Sequence, residues 1–519
     1  MVKDKKTGLY CALETVIGAL CALVLFVLTV MSLCGRAYMP MTWRERVIFK
    51  NNGIFFWLAL PAGIAVLLVL FRFISKIPQR ILFIVCSFVF AAAGLFLIIN
   101  APQVLRADAG KVFRAAKQFN SGVYSSLKFG GYMYMYPHQL GLATFWRPLA
   151  SLRLGVYAAF TVNLAMALTA NFALWSSARL VYGENSPAVN YICIMLFLFL
   201  PHLFFILFVY GMTCGLCFMC LALYFGVKYL KGKGRAGGFL CVLFLALSCT
   251  VRNNNYIGAI AIGIGFVLYA VKDKKPLRLI YPAAVFAVTF LLCSLIKWGY
   301  GAAAKAPVND GMPKTLWIAM GLQDNDFRMD GWSNAYNEQT YVKNNRDSKK
   351  SSETAVKNIK ERLGFFAENP GKAFEFFGNK LRSTWTEPTF QSLWSGPLND
   401  CKQPVKTGFL KNLYGGGSAY EAVNEFGAVI TAMIYVSAMA GLIYSLVSRE
   451  KIGFFGLVIC MYLAGGFLFH TVWETKSQYV YPYVYMLIPF AARWLSRAAQ
   501  AVNVFFHIKE IERGKKLHD

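Results

Sequence analysis

Apolar residues come in blocks of about twenty along most of this chain, the length that carries an α-helix across a bilayer core. Such blocks run at 11–34, 53–73, 79–99, 154–177, 189–209, 211–230, 279–298, 424–447, 453–472 and 480–498. Two shorter ones, 237–251 and 256–271, flank the polar stretch Arg252-Asn253-Asn254-Asn255. The pattern predicts a mainly α, polytopic transmembrane protein with about twelve spans. The segment 137–150, only 14 residues long, is too short to span comfortably and predicts a re-entrant or tilted half-helix. The first block follows Lys3, Lys5 and Lys6 without a small-residue cleavage site, so it reads as a retained helix.

The pattern breaks once, over residues 299–423. That insert holds 13 of the 25 acids and 16 of the 53 bases, a balance of +3, and leaves 37 bases against 12 acids elsewhere. The chain thus divides into N-terminal helices (1–100), a first large loop (101–153), a six-helix module (154–298), the insert, three last helices (424–498) and a basic tail (499–519). Within the insert, 353–369 and 371–385 predict two helices broken at Pro370, since the residue before a proline avoids the helical region. Phe365, Phe366, Phe374, Phe376, Phe377 and Trp385 are expected to pack onto the membrane helices.

Composition changes the picture little: 57% of residues are hydrophobic and 15% charged, with a mean hydropathy of +0.47. A net charge of +28 would suggest nucleic acid in a soluble protein. Here no basic low-complexity run or zinc-finger spacing supports that, and the bases collect between spans. The positive-inside rule places Lys228–Arg235, Lys272–Arg278, Arg449/Lys451 and the tail in the cytoplasm, with both termini. The insert, the Tyr210-Gly211 turn, Arg252–Asn255 and Trp473–Gln478 then fall outside. The loop 35–52 disagrees, because it counts as external yet carries Arg36, Arg44, Arg46 and Lys50. Of 13 cysteines the insert holds only Cys401, so it contains no internal disulfide. Cys214, Cys217 and Cys220 have helical spacing in an apolar run and read as small packing residues.

The chemically suggestive residues share the outer face. Residues 106–119 form an amphipathic interfacial helix, with Val112, Ala115, Ala116 and Phe119 on its apolar stripe. Asp108 at its start reads as a helix N-cap or as a general base held at the lipid–water boundary. Tyr132, Tyr134 and Tyr136 alternate as an extended aromatic strip before Pro137-His138-Gln139. They suit an interfacial belt or a sugar platform, with Gln139 reading hydroxyls. His138 has no partner at metal-ligand spacing. Arg252, next to Asn253, either snorkels or meets a phosphate. Glu474 and Lys476, two residues before Gln478 and Tyr479, either pair with each other or hold a phosphate or metal.

Together, an Asp in the first large external loop, Tyr-Pro-His-Gln-x-Gly and a late Glu-x-Lys-x-x-Tyr followed by Pro482 resemble the GT-C glycosyltransferases. The similarity is to the bacterial branch akin to protein-O-mannosyltransferases, glycosyltransferase family 39. Trp317–Leu322, Gly331–Asn337, Asn369-Pro370 and Trp385-Thr386-Glu387-Pro388 resemble that branch's external domain. The resemblance runs from about residue 101 onward, and the first two helices look like an addition. It implies a polyprenyl-phosphate-linked sugar donor and an inverting transfer to an acceptor hydroxyl, with Asp108 as catalytic base. Arg252 and Lys476 are the implied donor-phosphate contacts. Tyr132, Tyr136, His138, Gln139, Asn253, Glu474 and Tyr479 are substrate-site candidates. The branch usually has Arg before the late Tyr; here Gln478 stands there, and Lys476 is the candidate substitute. Such a donor needs no nucleotide site, and no P-loop or Rossmann glycine pattern is present; Asp324-Asn325-Asp326 has DxD spacing but lies outside. The sequence implies no required cofactor and leaves a divalent metal open. The acceptor (protein, wall polymer or glycolipid) is open too. A transporter or lipid-linked glycan flippase, and a non-catalytic envelope-assembly protein, are the other readings.

Overall fold

The computed structural model describes residues 5–234, 236–326, 328–397 and 404–516. Cys401 lies outside them. The chain is a mainly α, multi-pass membrane protein. Among the described residues, eight helices are long and apolar enough to cross a membrane. Pro187–Leu198 and Pro201–Leu207, bent by 52°, make a ninth if taken as one span. Pro201 lacks the amide that would continue the helix. Asn163 Nδ2 donates to the carbonyl of Ile206 beyond the bend (3.1 Å). The other predicted blocks are also helical, as Ile54–Val69 (16 residues), Gly237–Val251 (15 residues) and part of Ser477–Lys516. Cys214, Cys217 and Cys220 are buried on the helix Met212–Leu230.

Polar contacts between helix ends sort the loops onto two faces. On one, Glu14 accepts from the amide of Gly453 (2.7 Å), and the Tyr269 hydroxyl accepts from the amide of Phe454 (2.9 Å). Lys272 lies over the Tyr10 ring, and Arg497 pairs with Glu450 at 2.8 Å. The basic loops belong to this face. On the other, Asn52 caps the end of the first helix through the carbonyls of Ser32 and Leu33, and Tyr157 donates to the carbonyl of Ala101 (3.1 Å). The 299–423 insert sits on this second face.

The basic loop 35–52 lies on the insert's face, where two of its bases meet acids. It folds into a hairpin, Arg36–Tyr38 against Ile48–Lys50, with Ala37 opposite Phe49. Arg36 pairs with Glu425, and Lys50 with Glu421 at 3.3 Å; both acids lie in the first turns of the helix Ser418–Val447. Carboxylates also suit a helix N-terminus.

In the insert, Ser348–Glu368 and Pro370–Trp385 are helices with Pro370 opening the second, and Asp347 caps the first by accepting from the Lys350 amide (2.9 Å). The expected docking of its aromatics is corrected. Phe366, Phe376 and Phe377 pack on one another and on Ile318 and Leu322 inside the insert. Phe374 is 84% exposed, two residues and so about half a turn from buried Phe376, and Phe365 is 40% exposed, one residue from buried Phe366. Only Trp385 of this set contacts rings of the membrane helices, Phe467 and Tyr483.

Between Gln79–Asn100 and Gly155–Tyr182 lie the helix Ala107–Asn120 and the 11-residue helix Leu140–Ala150. Eleven residues rise about 16 Å, roughly half the hydrocarbon core. The Tyr157–Ala101 bond returns the chain to the level at which it left. Asn120 joins the two short helices at their C-terminal ends, donating to the Arg147 carbonyl (2.7 Å). Leu140–Ala150 packs against the end of Gly237–Val251 so closely that a Cβ at Gly141 would sit 2.0 Å from the carbonyl oxygen of Thr250. Gly141→Ala should therefore cost about 2 kcal/mol or more, the scale of overpacking against backbone. Gly378→Ala, with no atom near its Cβ, should cost far less. Thermal unfolding in detergent compares the two; equal melting temperatures would refute this packing.

Candidate functional site

Asp108 is not a helix cap. The N-cap of Ala107–Asn120 is Arg106, whose side chain makes no capping bond, and Asp108 lies in the first helical turn. There the helix dipole favours a carboxylate. It is 44% exposed and 3.2 Å from Lys111. Its placement follows from a tight bend: Ala107 has φ +49°, a left-handed conformation unusual outside glycine. Ala109, Val112, Phe113, Ala115, Ala116 and Phe119 bury the opposite face, as the amphipathic pattern requires.

The tyrosine segment is a helical turn, Tyr132–Met135, rather than an extended strip. Tyr132 and Tyr136, four residues apart, therefore stack with centroids 4.8 Å apart, while Tyr134 turns away to Phe129. Tyr136 donates to Glu338 (2.5 Å), and Gln139 Nε2 donates to the Tyr210 hydroxyl (3.0 Å). The Asp108 carboxylate acts electrostatically on Tyr132, Tyr136, His138 and Tyr210. His138 is open to solvent yet walled by protein, with Trp317 at 6.2 Å. That surrounding mass, with Arg252 and Lys314, lowers its pKa to about 4, so the imidazole is neutral near pH 7. Exposure inside dense surroundings marks a cleft.

Arg252 forms the cleft's cationic side. Its Nη1 donates to the Tyr210 carbonyl (2.9 Å), and its guanidinium lies 5.1 Å from the Tyr210 ring centroid and 5.5 Å from that of Tyr479. Asn253, next in sequence, is exposed and is not drawn into these contacts. The polar break thus contributes one residue to the cluster rather than two.

The segment after Trp473 is held by the insert. The Glu474 amide donates to the Trp317 carbonyl (3.1 Å), and the Thr475 amide to that of Gly331 (3.0 Å). Gly321 makes room, since a Cβ there would lie 2.5 Å from the Glu474 nitrogen. Glu474 is buried; burial, opposed by Lys476, raises its pKa to about 7. It acts on Tyr210 and Tyr479, which ties it to the Arg252 side of the cleft. Lys476 bonds neither Glu474 nor open solvent. It sits 2.8 Å from both carboxylate oxygens of Glu45, the residue between Arg44 and Arg46 in the N-terminal loop. Arg328 Nε lies 3.1 Å from the same carboxylate, and Gln391 Nε2 donates to it (2.7 Å). Burial alone would raise the Glu45 pKa; Lys476 and Arg328 outweigh it and hold the group ionised.

Glu45, Arg328 and Lys380 were not legible as site residues. Lys380 is fully buried, donates to the carbonyls of Gly321 (2.5 Å) and Thr471 (2.9 Å), and burial lowers its pKa to about 7. Gln478 is buried, and its backbone amide donates to Gln391 Oε1 (3.4 Å). Asp324 of the DxD-like spacing pairs with Arg362. Among the described residues, no three His, Cys, Asp or Glu side chains converge as a metal site. The cluster offers an accessible carboxylate, a guanidinium between aromatic rings, and stacked tyrosines. Those groups suit proton abstraction beside an anionic leaving group.

Two predictions follow from these charges. In a double-mutant cycle of Glu45→Gln and Lys476→Met, the coupling should exceed about 1 kcal/mol, because the carboxylate is almost wholly buried. Additive losses in chemical unfolding would refute the clamp. Glu474 should make stability fall as pH rises from about 4.5 to about 7, since the folded protein keeps a proton that the unfolded chain has lost. Glu474→Gln should remove that slope, up to about 3 kcal/mol across the interval; melting curves at stepped pH would detect an unchanged slope.

No protein-family model matches the chain, and no curated protein matches it in sequence.

Proposed function

We propose that this protein is a GT-C type membrane glycosyltransferase, similar to the family 39 branch. On this reading the chain has twelve spans, with the bent pair, both shorter helices and Ser477–Lys516 included. The insert is an extracytoplasmic domain, and the basic loops and both termini are cytoplasmic. The protein moves a sugar from a polyprenyl-phosphate donor to an acceptor hydroxyl, with inversion. Asp108 takes the hydroxyl proton as the oxygen attacks the anomeric carbon. The bond to the donor phosphate breaks on the opposite side, and Arg252 meets the leaving phosphate. Tyr132, Tyr136, His138 and Gln139 line the sugar side, with Glu474 and Tyr479 across from them.

The observation that carries this reading is convergence. Asp108, the Tyr132–Gln139 segment, Arg252 and Glu474 come from four separate stretches and meet in one cleft, on the face opposite the basic loops. The phosphate role moves chiefly to Arg252, because Lys476 is committed to Glu45. Lys476 and Arg328 still share one carboxylate, which leaves that corner with a surplus positive charge for an anionic donor.

The test is release of polyprenyl phosphate from a sugar-loaded polyprenyl phosphate by the purified protein. Asp108→Asn should fold, since an exposed ion pair contributes little and no cap is lost. It should transfer about 10²–10⁴-fold more slowly, the scale of general-base loss. Asp108→Glu should keep partial activity at best, because shifting the carboxylate by about an ångström costs about 10²-fold. Arg252→Ala should weaken donor use. A folded Asn variant working at the parental rate would sink the assignment of Asp108, and absence of any release by the parent would sink the reading.

A further inference from the structure

The face with the basic loops holds a concavity of about 540 Å³ that the proposed transfer does not use. It lies where the chain enters the helix Gln79–Asn100, beside the start of Pro187–Leu198. Lys76, Gln79, Arg80, Arg179, Ser186 and Asn190 line it.

Its charge favours an anion. Lys76 and Arg80 are exposed and have no acidic partner among the described residues. Arg179 lies over the Trp175 ring (4.7 Å to its centroid), and its acidic neighbour Glu184, at 3.8 Å, is 68% exposed. Both helices begin here without a side-chain cap. Pro187 has no amide hydrogen and the Val189 amide turns back to the Ser186 carbonyl (3.0 Å), so the uncapped first turn of Gln79–Asn100 supplies most of the free amides. Gln79 Nε2 joins the two starts by donating to the Ser186 carbonyl (3.0 Å).

Its unpaired groups favour a ligand with donors as well. Asn190 is 2% exposed. Its amide hydrogens go to the carbonyls of Ile74 (2.7 Å) and Ile77 (2.9 Å), yet its Oδ1 has no hydrogen-bond partner. Gln79 Oε1 and Arg179 Nε are likewise buried without partners. Leaving a buried polar atom unpaired costs about 1–3 kcal/mol. Two unpartnered acceptors buried just beneath a wall of three cations match a phosphate carrying a nearby hydroxyl or ammonium, toward which Gln79 and Asn190 turn their oxygens.

We propose that this pocket binds the phosphate of a glycerophosphate-type group whose neighbouring donor reaches Asn190 and Gln79. Only 22% of the apolar window of Gln79–Asn100 is buried inside the protein, so the pocket opens beside the bilayer. A lipid headgroup and a soluble glycerophosphate offer the same chemistry. The inference is independent of the transfer reaction on the other face.

The full-length protein in neutral detergent is titrated with short-chain phosphatidylglycerol, phosphatidylcholine and glycerol 3-phosphate. Native mass spectrometry and thermal melting read the binding. Phosphatidylglycerol should stay bound and raise the melting temperature. Phosphatidylcholine, which has the phosphate but no donor, should bind at least tenfold more weakly. Lys76→Gln/Arg80→Gln alters two exposed side chains and should fold; it should weaken phosphatidylglycerol tenfold or more. Lys231→Gln/Lys233→Gln, on exposed lysines of the same face, should leave binding unchanged, which separates a site from diffuse attraction. Glycerol 3-phosphate binding with the same sensitivity to Lys76 and Arg80 supports the pocket and names a soluble source. No binding of either phosphate, or equal losses in both double variants, would overturn the proposal.

Discussion

A carboxylate that is 97% removed from solvent must be neutralised, and much of the face that carries the insert is arranged around neutralising Glu45. Its partners are far away in sequence. Lys476 comes from the loop joining the last two long helices, Arg328 from the insert, and Gln391 from the segment that follows the insert's second long helix. Three parts of the chain therefore have to be in place before the charge is compensated. The hairpin that carries Glu45 is fixed in turn by Arg36 on Glu425 and Lys50 on Glu421. The first two helices, which in sequence look like an addition, thus deliver a residue to the centre of the assembly.

The same accounting explains why a basic loop lies on the face of the insert. The positive-inside bias counts Lys and Arg near span ends and is not a net-charge rule, so it does not itself explain this loop; the anchoring of its bases does. In 35–52, Arg36 and Lys50 meet acids at the head of Ser418–Val447. On the opposite face, Lys76 and Arg80 have no such partner among the described residues, and the loops there keep a net positive charge.

Long apolar blocks and the proline break at Pro370 were readable because each depends on neighbours within a helix turn or on one residue's backbone. That the segment 137–150 holds only a short helix was readable from its length. The amphipathic stripe after Asp108 was readable from its period, but the role of Asp108 was not, since cap and first-turn positions differ by two residues and are decided by the bend at Ala107. Glu45 was invisible for another reason: flanked by Arg44 and Arg46, it has the signature of a solvated loop, and its partner Lys476 lies 431 residues away. The aromatic set Phe365–Phe377 misled because hydrophobicity says that a side chain will be buried, not against which neighbour. The alternation of Tyr132, Tyr134 and Tyr136 misled similarly, since a period of two over five residues fits a short helical turn in which only the outer pair stack.

What the cleft holds in reserve follows by elimination among its cations. Lys476 and Arg328 are taken by Glu45, Lys111 by Asp108, and Lys380 is bonded to two carbonyls with its pKa lowered to about 7. Among the described residues, Arg252 bonds no carboxylate, and of the cleft's cations only the exposed Lys314 beside His138 shares that state. The acid acting on the same two tyrosines, Glu474, is half protonated near neutrality because burial opposes its ionisation. A guanidinium between two aromatic rings, bonded to a carbonyl and, among the described residues, to no carboxylate, is poorly compensated by the protein itself. It is therefore available to an anion that arrives from outside, and the carboxylate of Asp108 stays across the tyrosines rather than on it.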